Sequence, residues 1–293
     1  MSYLRTLQWF IIVQIPSSFL HWDHSFILVL FLLAMITIDV IVLTKNNVDE
    51  LIQTITSVPL SHRNFLVNIL IFDGSSSELP FSFFIDCLGD LSRHLSYFWI
   101  PDVRGIYPSM NFALSHVKSD WFIFLNSGDY FHADFTLASL QSSFLSEVSV
   151  VFGQAEIKSS DSHLSWLVPD SRVTSIDSWL HFFEPNHQAI FARNILSKKY
   201  SFQISSPIGA DAAWKRKILC EHTFAYVKRP FVVFNLGGAS STYSYKILRI
   251  KLNEQSRSLF AKLMEIAKYL LFKLGIMSPR IQLIKSRILG LIF

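Results

Sequence analysis

Cysteine is nearly missing from this chain of 293 residues, which has only Cys87 and Cys220. Two cysteines make no disulfide framework and have no metal-ligand spacing, so neither a disulfide-stapled scaffold nor a zinc site is coded, and a reducing compartment suits the chain. Charge is also sparse, at 16% of residues against 51% apolar and 15% aromatic, a balance that favours some membrane contact. A cleavable secretory signal is disfavoured: Arg5 is the only early basic residue, and no small-x-small site follows. Internal repeats and low-complexity segments are lacking too. What remains is a length that buries a sizeable core, as one large domain or one domain with appendages.

The charge that is present is unevenly placed. Ser244–Phe293 carries ten Lys/Arg and two Glu, a net +8, whereas the whole chain is +4, so Met1–Tyr243 is −4. The basic character belongs to a tail, and a mildly acidic body argues against nucleic acid as a partner of the main domain.

Both ends are apolar. FILVLFLLAMI (26–36) runs into TIDVIVLT, and Ser25–Leu43 as one piece is long enough to span a bilayer. Asp39 and the β-branched Ile38, Val40, Ile41 and Val42 instead suit a strand, which leaves an apolar run too short for a span. Met35 is therefore expected to begin the compact domain, with residues 1–34 either a membrane-associating leader or not translated. In the tail, Phe260, Leu263, Ala267, Leu270 and Leu274 recur at helical spacing with Lys262, Glu265, Lys268 and Lys273 between them, and a break at Gly275–Pro279 precedes a second basic piece. Two readings stand: a helix packed back on the domain, or an interfacial helix on anionic lipid, which the +8 charge favours.

Between residues 36 and 243 strands and helices alternate. Strands are predicted at Ile38–Leu43, Leu66–Phe72, Tyr97–Ile100, Asp120–Leu125 and Val148–Phe152. Helices are predicted at Val48–Val58, 79–95, Ile106–Val117 and around Phe135–Leu145. The alternation implies an α/β fold with a mostly parallel, doubly wound sheet. Beyond about residue 155 the pattern loosens, with a strand near Gln188–Ala192 and a helix from about Ala210. Thr44-Lys45-Asn46-Asn47, Asp73-Gly74-Ser75, Pro101-Asp102 and Asn126-Ser127-Gly128-Asp129 each follow a strand. In a parallel sheet those four polar loops leave the same edge, where open α/β folds bind ligands.

IDVIVLTKNN (38–47), ILIFDGSSS (69–77), IPDVRGIYPSMNFAL (100–114), DWFIFLNSGD (120–129), PNHQAIFAR (185–193), IGADAAW (208–214) and FNLGGASS (234–241), in this order, resemble the family 2 glycosyltransferases of GT-A fold, bacterial surface-polysaccharide type. The resemblance covers roughly residues 36–243. It implies a GT-A domain over 35–243, between the leader 1–34 and the basic helical tail 244–293. It further implies an inverting transfer of a sugar from a nucleotide-sugar donor to a lipid-linked or saccharide acceptor. Such an enzyme would be cytoplasmic, peripheral on the inner face of an anionic membrane.

The residue roles follow from the matched motifs. Asp129 matches the last carboxylate of the D-x-D-like motif and would ligate Mg²⁺ or Mn²⁺, with Asn126 standing where many relatives carry Asp. Asp73 matches the carboxylate that reads the nucleotide, with an Asx-type turn before Gly74 as the alternative. Thr44 and Asn46 match the loop bordering the nucleotide. Arg104 and Gly105 precede a helix N-terminus suited to a diphosphate, and Asn111 lies on that helix. His187 matches the family His-Gln pair, as a diphosphate or metal contact or a core polar group. Asp211 matches the acceptor-side acid and would be the general base, and Gly237-Gly238 matches a late loop over the donor. Glu78, Pro108, Ser109 and Ala213 depart from the motifs, so a degenerate sugar-nucleotide-binding or scaffold protein is the alternative.

Overall fold

β1 (Ile36–Thr44) is the centre of the parallel half of the sheet. The computed structural model describes residues 35–60, 64–159, 163–205, 209–236 and 279–293, with a few positions between 248 and 273. The leader 1–34, the loop 237–241 and most of the predicted helical face between Phe260 and Leu274 lie outside the described residues. β1 is buried along almost its whole length, as a strand covered on both faces must be. Its period of two sorts side chains between two cores. Ile38, Val40 and Val42 pack with Leu51 and Ile55 of α1 (Val48–Thr56). Ile41 and Leu43 share the opposite core with Met110, Ala113 and Leu114 of α3 (Ile106–Leu114) and with Trp214 and Ile218 of α7 (Ala210–Glu221). Asn47 caps α1 by accepting the Glu50 N–H.

β2 (Phe65–Asp73) and β4 (Trp121–Phe124) flank β1 in parallel, and β3 (Leu95–Trp99) lies parallel beyond β2. Register aligns Thr44 with Asp73 and Asp73 with Trp99, so these strands end together, as expected for a doubly wound half-sheet. Past β4 the directions mix. β8 (Ile190–Arg193) runs antiparallel to both β4 and β6 (Val150–Ser159), and β9 (Phe224–Leu236) runs parallel to β6. β7 (Leu164–Val168) pairs antiparallel with β6, and β5 (Tyr130–Phe131) with β9. The nine strands form one sheet, flanked further by α2 (Phe81–Leu88), α4 (Gln141–Leu145), α5 (Ile176–Leu180) and α6 (Asn194–Lys199).

At the amino end of the sheet the buried Asp39 carboxylate accepts from Lys118 N, Ser119 N, Ser119 Oγ and Asn68 Nδ2. The last helix, α8 (Pro279–Ile292), is fixed to the region of β7 by Ser286 Oγ donating to Leu167 O at 3.0 Å and Arg172 Nη2 donating to Arg287 O at 2.8 Å. Among the described residues no helix is long and apolar enough to cross a membrane.

Candidate active site

The loop after β2 is organised around Asp73, which is almost fully buried. Asp73 Oδ1 accepts from the backbone and hydroxyl of Ser75, and Oδ2 accepts from Tyr97 Oη at 2.8 Å. Burial and the adjacent carboxylate raise the Tyr97 phenol well above its usual range, so it stays a donor. The Asx-type turn, the alternative at Asp73, is present in the Ser75 N–H bond to Oδ1. Asn46, at φ 54°, donates its N–H to Ser75 Oγ and accepts from Ser76 N, tying the loops after β1 and β2 together. Gly74 N donates to Thr44 O at 3.0 Å. Trp99 Nε1 donates to Ser75 O, leaving its ring partly exposed at the strand end.

The loop after β4 sits against this pair. Ser127 N donates to Leu43 O, and Thr54 Oγ1 of α1 donates to Asp129 O while accepting from Gly128 N. Gly128 has φ 95°, a left-handed backbone that calls for glycine, and it lies close to the Glu50 carboxylate. The Asp129 carboxylate is buried, with Oδ1 accepting from Asn235 N of β9 at 2.7 Å and Oδ2 from Gln188 Nε2. Burial pushes its pKa up to about 7 against those two donors, with Glu50 adding repulsion. Gln188 also accepts the Asn126 N–H through Oε1 at 2.9 Å.

Asn126 Oδ1 and Ser127 Oγ are buried beside Asp129 without a hydrogen-bond partner. Unpaired buried oxygens are costly, and here they are hard donors suited to Mg²⁺ or Mn²⁺. Among the described residues no three His, Cys, Asp or Glu gather into a metal site. One carboxylate with neutral oxygens nevertheless fits a cation whose remaining ligands are phosphate oxygens.

The fourth part of the site comes from α7. Asp211 lies in its first turn, where the helix dipole favours an anion. Its Oδ1 accepts from Tyr107 Oη of α3 at 2.9 Å, while Oδ2 is 3.6 Å from Lys215 Nζ and 3.7 Å from His187 Nδ1. Tyr107 Oη also accepts the Gly209 N–H, which fixes the start of α7 on α3. Burial raises the Asp211 pKa, but Lys215, His187 and Tyr107 outweigh it and hold the group below the usual carboxylate range. Burial pushes His187 down to about 4, and its Nε2 is buried with no partner.

Not every predicted residue joins this arrangement. Arg104 is exposed ahead of α3, and Gly105 has φ 106° and precedes the first helical turn. Asn111 spends both ends of its carboxamide on Phe202, donating to its carbonyl at 2.8 Å and accepting its N–H at 2.7 Å. Sequence reasoning gave no role to Gln188, Asn235, Tyr107, Lys215 or Tyr97. Of these, only Gln188, in the family His-Gln pair, and the Asp211–Lys215 spacing of four on a helix carried a readable signal.

A mixed α/β sheet whose parallel strands release acidic loops at one edge is the architecture of the GT-A fold. The description of glycosyl transferase family 2 matches residues 39–221, more than half of the chain, and the chain belongs to that family. Among solved structures, S. aureus TarS aligns with a TM-score of 0.50 and 15% identity over 80% of this chain and 43% of TarS. A shorter TarS chain in complex with UDP-GlcNAc aligns with a TM-score of 0.50 and 14% identity, over 80% of this chain and 72% of that one. This chain thus spans less than half the length of the longer TarS chain, and identities this low speak for the fold alone. Among curated proteins no sequence matches.

Proposed function

We propose that the chain is an inverting glycosyltransferase that moves a sugar from a nucleotide-sugar donor to a hydroxyl of a lipid-linked or polysaccharide acceptor, working peripherally on the inner face of the membrane. The observation that carries this reading is that two consecutive residues join the acidic groups: Gln188 bonds Asp129, and His187 lies 3.7 Å from Asp211. Asp73 and the Asn126–Asp129 loop stand on one side, and an ionised Asp211 on the other. That a TarS structure holds UDP-GlcNAc supports a nucleotide-sugar donor.

Asp73, oriented by Ser75 and Tyr97, reads the nucleoside, with Asn46 and Thr44 lining the same edge. Asp129, Asn126 Oδ1 and Ser127 Oγ would hold a divalent cation, which when bound offsets the charge that grows on the leaving diphosphate. Gln188 sets the Asp129 carboxylate and the Asn126 backbone in fixed relation. Asp211 is deprotonated at neutral pH and held by three neighbours, so it takes the acceptor hydroxyl proton as the glycosidic bond forms. His187 stays neutral beside it, its free Nε2 turned to no protein partner.

Thermal stabilisation by a panel of nucleotide sugars, with Mn²⁺ and with EDTA, tests this reading. A ligand raises apparent stability as RT ln(1 + [L]/Kd). Metal-dependent stabilisation by one donor, lost in Asp129→Ala, is expected. Stabilisation indifferent to metal and to Asp129 would instead fit a sugar-nucleotide-binding scaffold.

A further inference from the structure

The last helix has two faces of different chemistry. Its inner face is fixed: beyond the Ser286 and Arg287 bonds, Phe293 O accepts from Thr174 N at 2.9 Å and Ser175 N at 2.7 Å. At Gly290 the helix approaches so closely that a Cβ would lie 2.6 Å from Asp170 Oδ1. The outer face carries Ile284, Ile288, Leu291 and Ile292, spaced as one helical stripe and all exposed. Leu291 is 74% exposed, and so is 70% of Phe182, whose ring centroid lies 5.5 Å from that of Phe293. Apolar surface therefore runs on from α8 to the loop after α5, with Lys285 and Arg287 exposed beside the stripe. Leu263, Ile266 and Leu270, also exposed, add an apolar series at spacings of three and four.

An exposed apolar stripe of this kind marks a surface that something covers. Charge selects what. Lys285 and Arg287 stand exposed beside the stripe, so two copies meeting through it would bring like charges together. An anionic bilayer complements both the stripe and the charge.

We infer that the outer face of α8, extended by Phe182, is a preformed docking surface for anionic lipid. The two readings of the tail then combine, since α8 packs on the domain by one face and offers the other to the bilayer. The inference deepens, and rests on, the peripheral-membrane part of the proposed function. His187 lies five positions beyond Phe182, at most about 18 Å of extended chain. Between them Glu184 pairs with Arg216 on α7, the helix that carries Asp211. Docking by this face therefore holds the acceptor half of the site beside the membrane, where a lipid-borne hydroxyl is presented.

Co-sedimentation of the full chain with phosphatidylcholine vesicles, with and without phosphatidylglycerol, tests the surface. Binding to the phosphatidylglycerol vesicles is expected, weakened by salt. In Ile288→Glu/Leu291→Glu the partition coefficient should fall about tenfold or more, with the melting temperature unchanged because both side chains are exposed. Lys285→Gln/Arg287→Gln should lose the preference for anionic lipid. Equal sedimentation of the parent and the Ile288/Leu291 variant would overturn the inference. So would self-association by the parent that the variant loses while neither binds vesicles. Transfer to a water-soluble acceptor, read in parallel, should be unchanged in the variant, and a failure of the transferase reading would show there while lipid binding persisted.

Discussion

The buried carboxamide of Gln188 donates to the Asp129 carboxylate and accepts the Asn126 N–H, so one side chain fixes both ends of the loop after β4. Gln188→Ala leaves a buried carboxylate with one donor fewer and a buried N–H with none. The expected loss is about 2–4 kcal/mol of stability, read as a lower denaturant midpoint with an unchanged m-value. Gln188→Glu should cost more, because it sets a second carboxylate against Asp129 in a dry site. A Gln188→Ala midpoint equal to the parent's would mean that this bond contributes nothing.

Asp211→Asn keeps the shape of the acceptor side and removes the proton acceptor. Transfer should fall by ~10²–10⁴ while donor-induced stabilisation persists. Normal transfer by this variant would remove Asp211 from the role of base.

Lys215 stands 3.6 Å from the Asp211 carboxylate and favours its ionised form. Replacing it by Met removes a cation 3.6 Å from Oδ2, so the Asp211 pKa rises and the acid limb of the pH profile of kcat/KM should move to higher pH. Lys215→Arg should restore the limb. A uniform loss of rate with no movement of the profile would reduce Lys215 to a packing residue.

These residues differ in how readable they are. The loops at Thr44, Asp73 and Asn126–Asp129 are legible because each follows a β-branched or aromatic run that suits a buried strand, and parallel strands release their loops at one edge. Gln188 is visible as a residue but not as a link, since its partner lies 59 positions away. β8 is legible as a strand, whereas its antiparallel insertion between β4 and β6 depends on the pairings Phe122–Ala192 and Val150–Ala192. β9 is concealed by Lys228, Arg229 and Pro230. Proline is tolerated there because the register with β6 shifts at Gln154, the residue that Pro230 faces. Asn111 follows the family motif but bonds to the Phe202 backbone, contacts that no local pattern encodes.

Protonation of His187 should link stability to pH. Its folded pKa, about 4, lies below the unfolded 6.5, so between these values the unfolded chain binds more protons. Stability from this residue is therefore full above pH 6.5 and falls as pH drops towards 4, by up to about 3 kcal/mol. Melting temperature against pH for the parent and for His187→Gln should diverge in sensitivity across that window. Parallel curves would show that His187 takes up its proton as readily folded as unfolded.

Asp39 separates fold from function, because it lies at the opposite end of β1 from the loops that carry the site. Four donors from Asn68, Lys118 and Ser119 converge on its carboxylate, joining β1 and β2 to the turn before β4. Asp39→Ala strands those donors in a buried place, so the expected loss is about 3 kcal/mol or more. Asp39→Asn keeps the size but turns an NH₂ group towards a ring of donors, so it should recover little. Donor Kd, measured well below the melting temperature, should stay within about twofold of the parent for both variants, since neither touches the carboxyl edge of the sheet. A large change in Kd at unchanged stability would mean that the register of β1 with β2, and not the strand-end loops alone, sets the geometry of the nucleotide site.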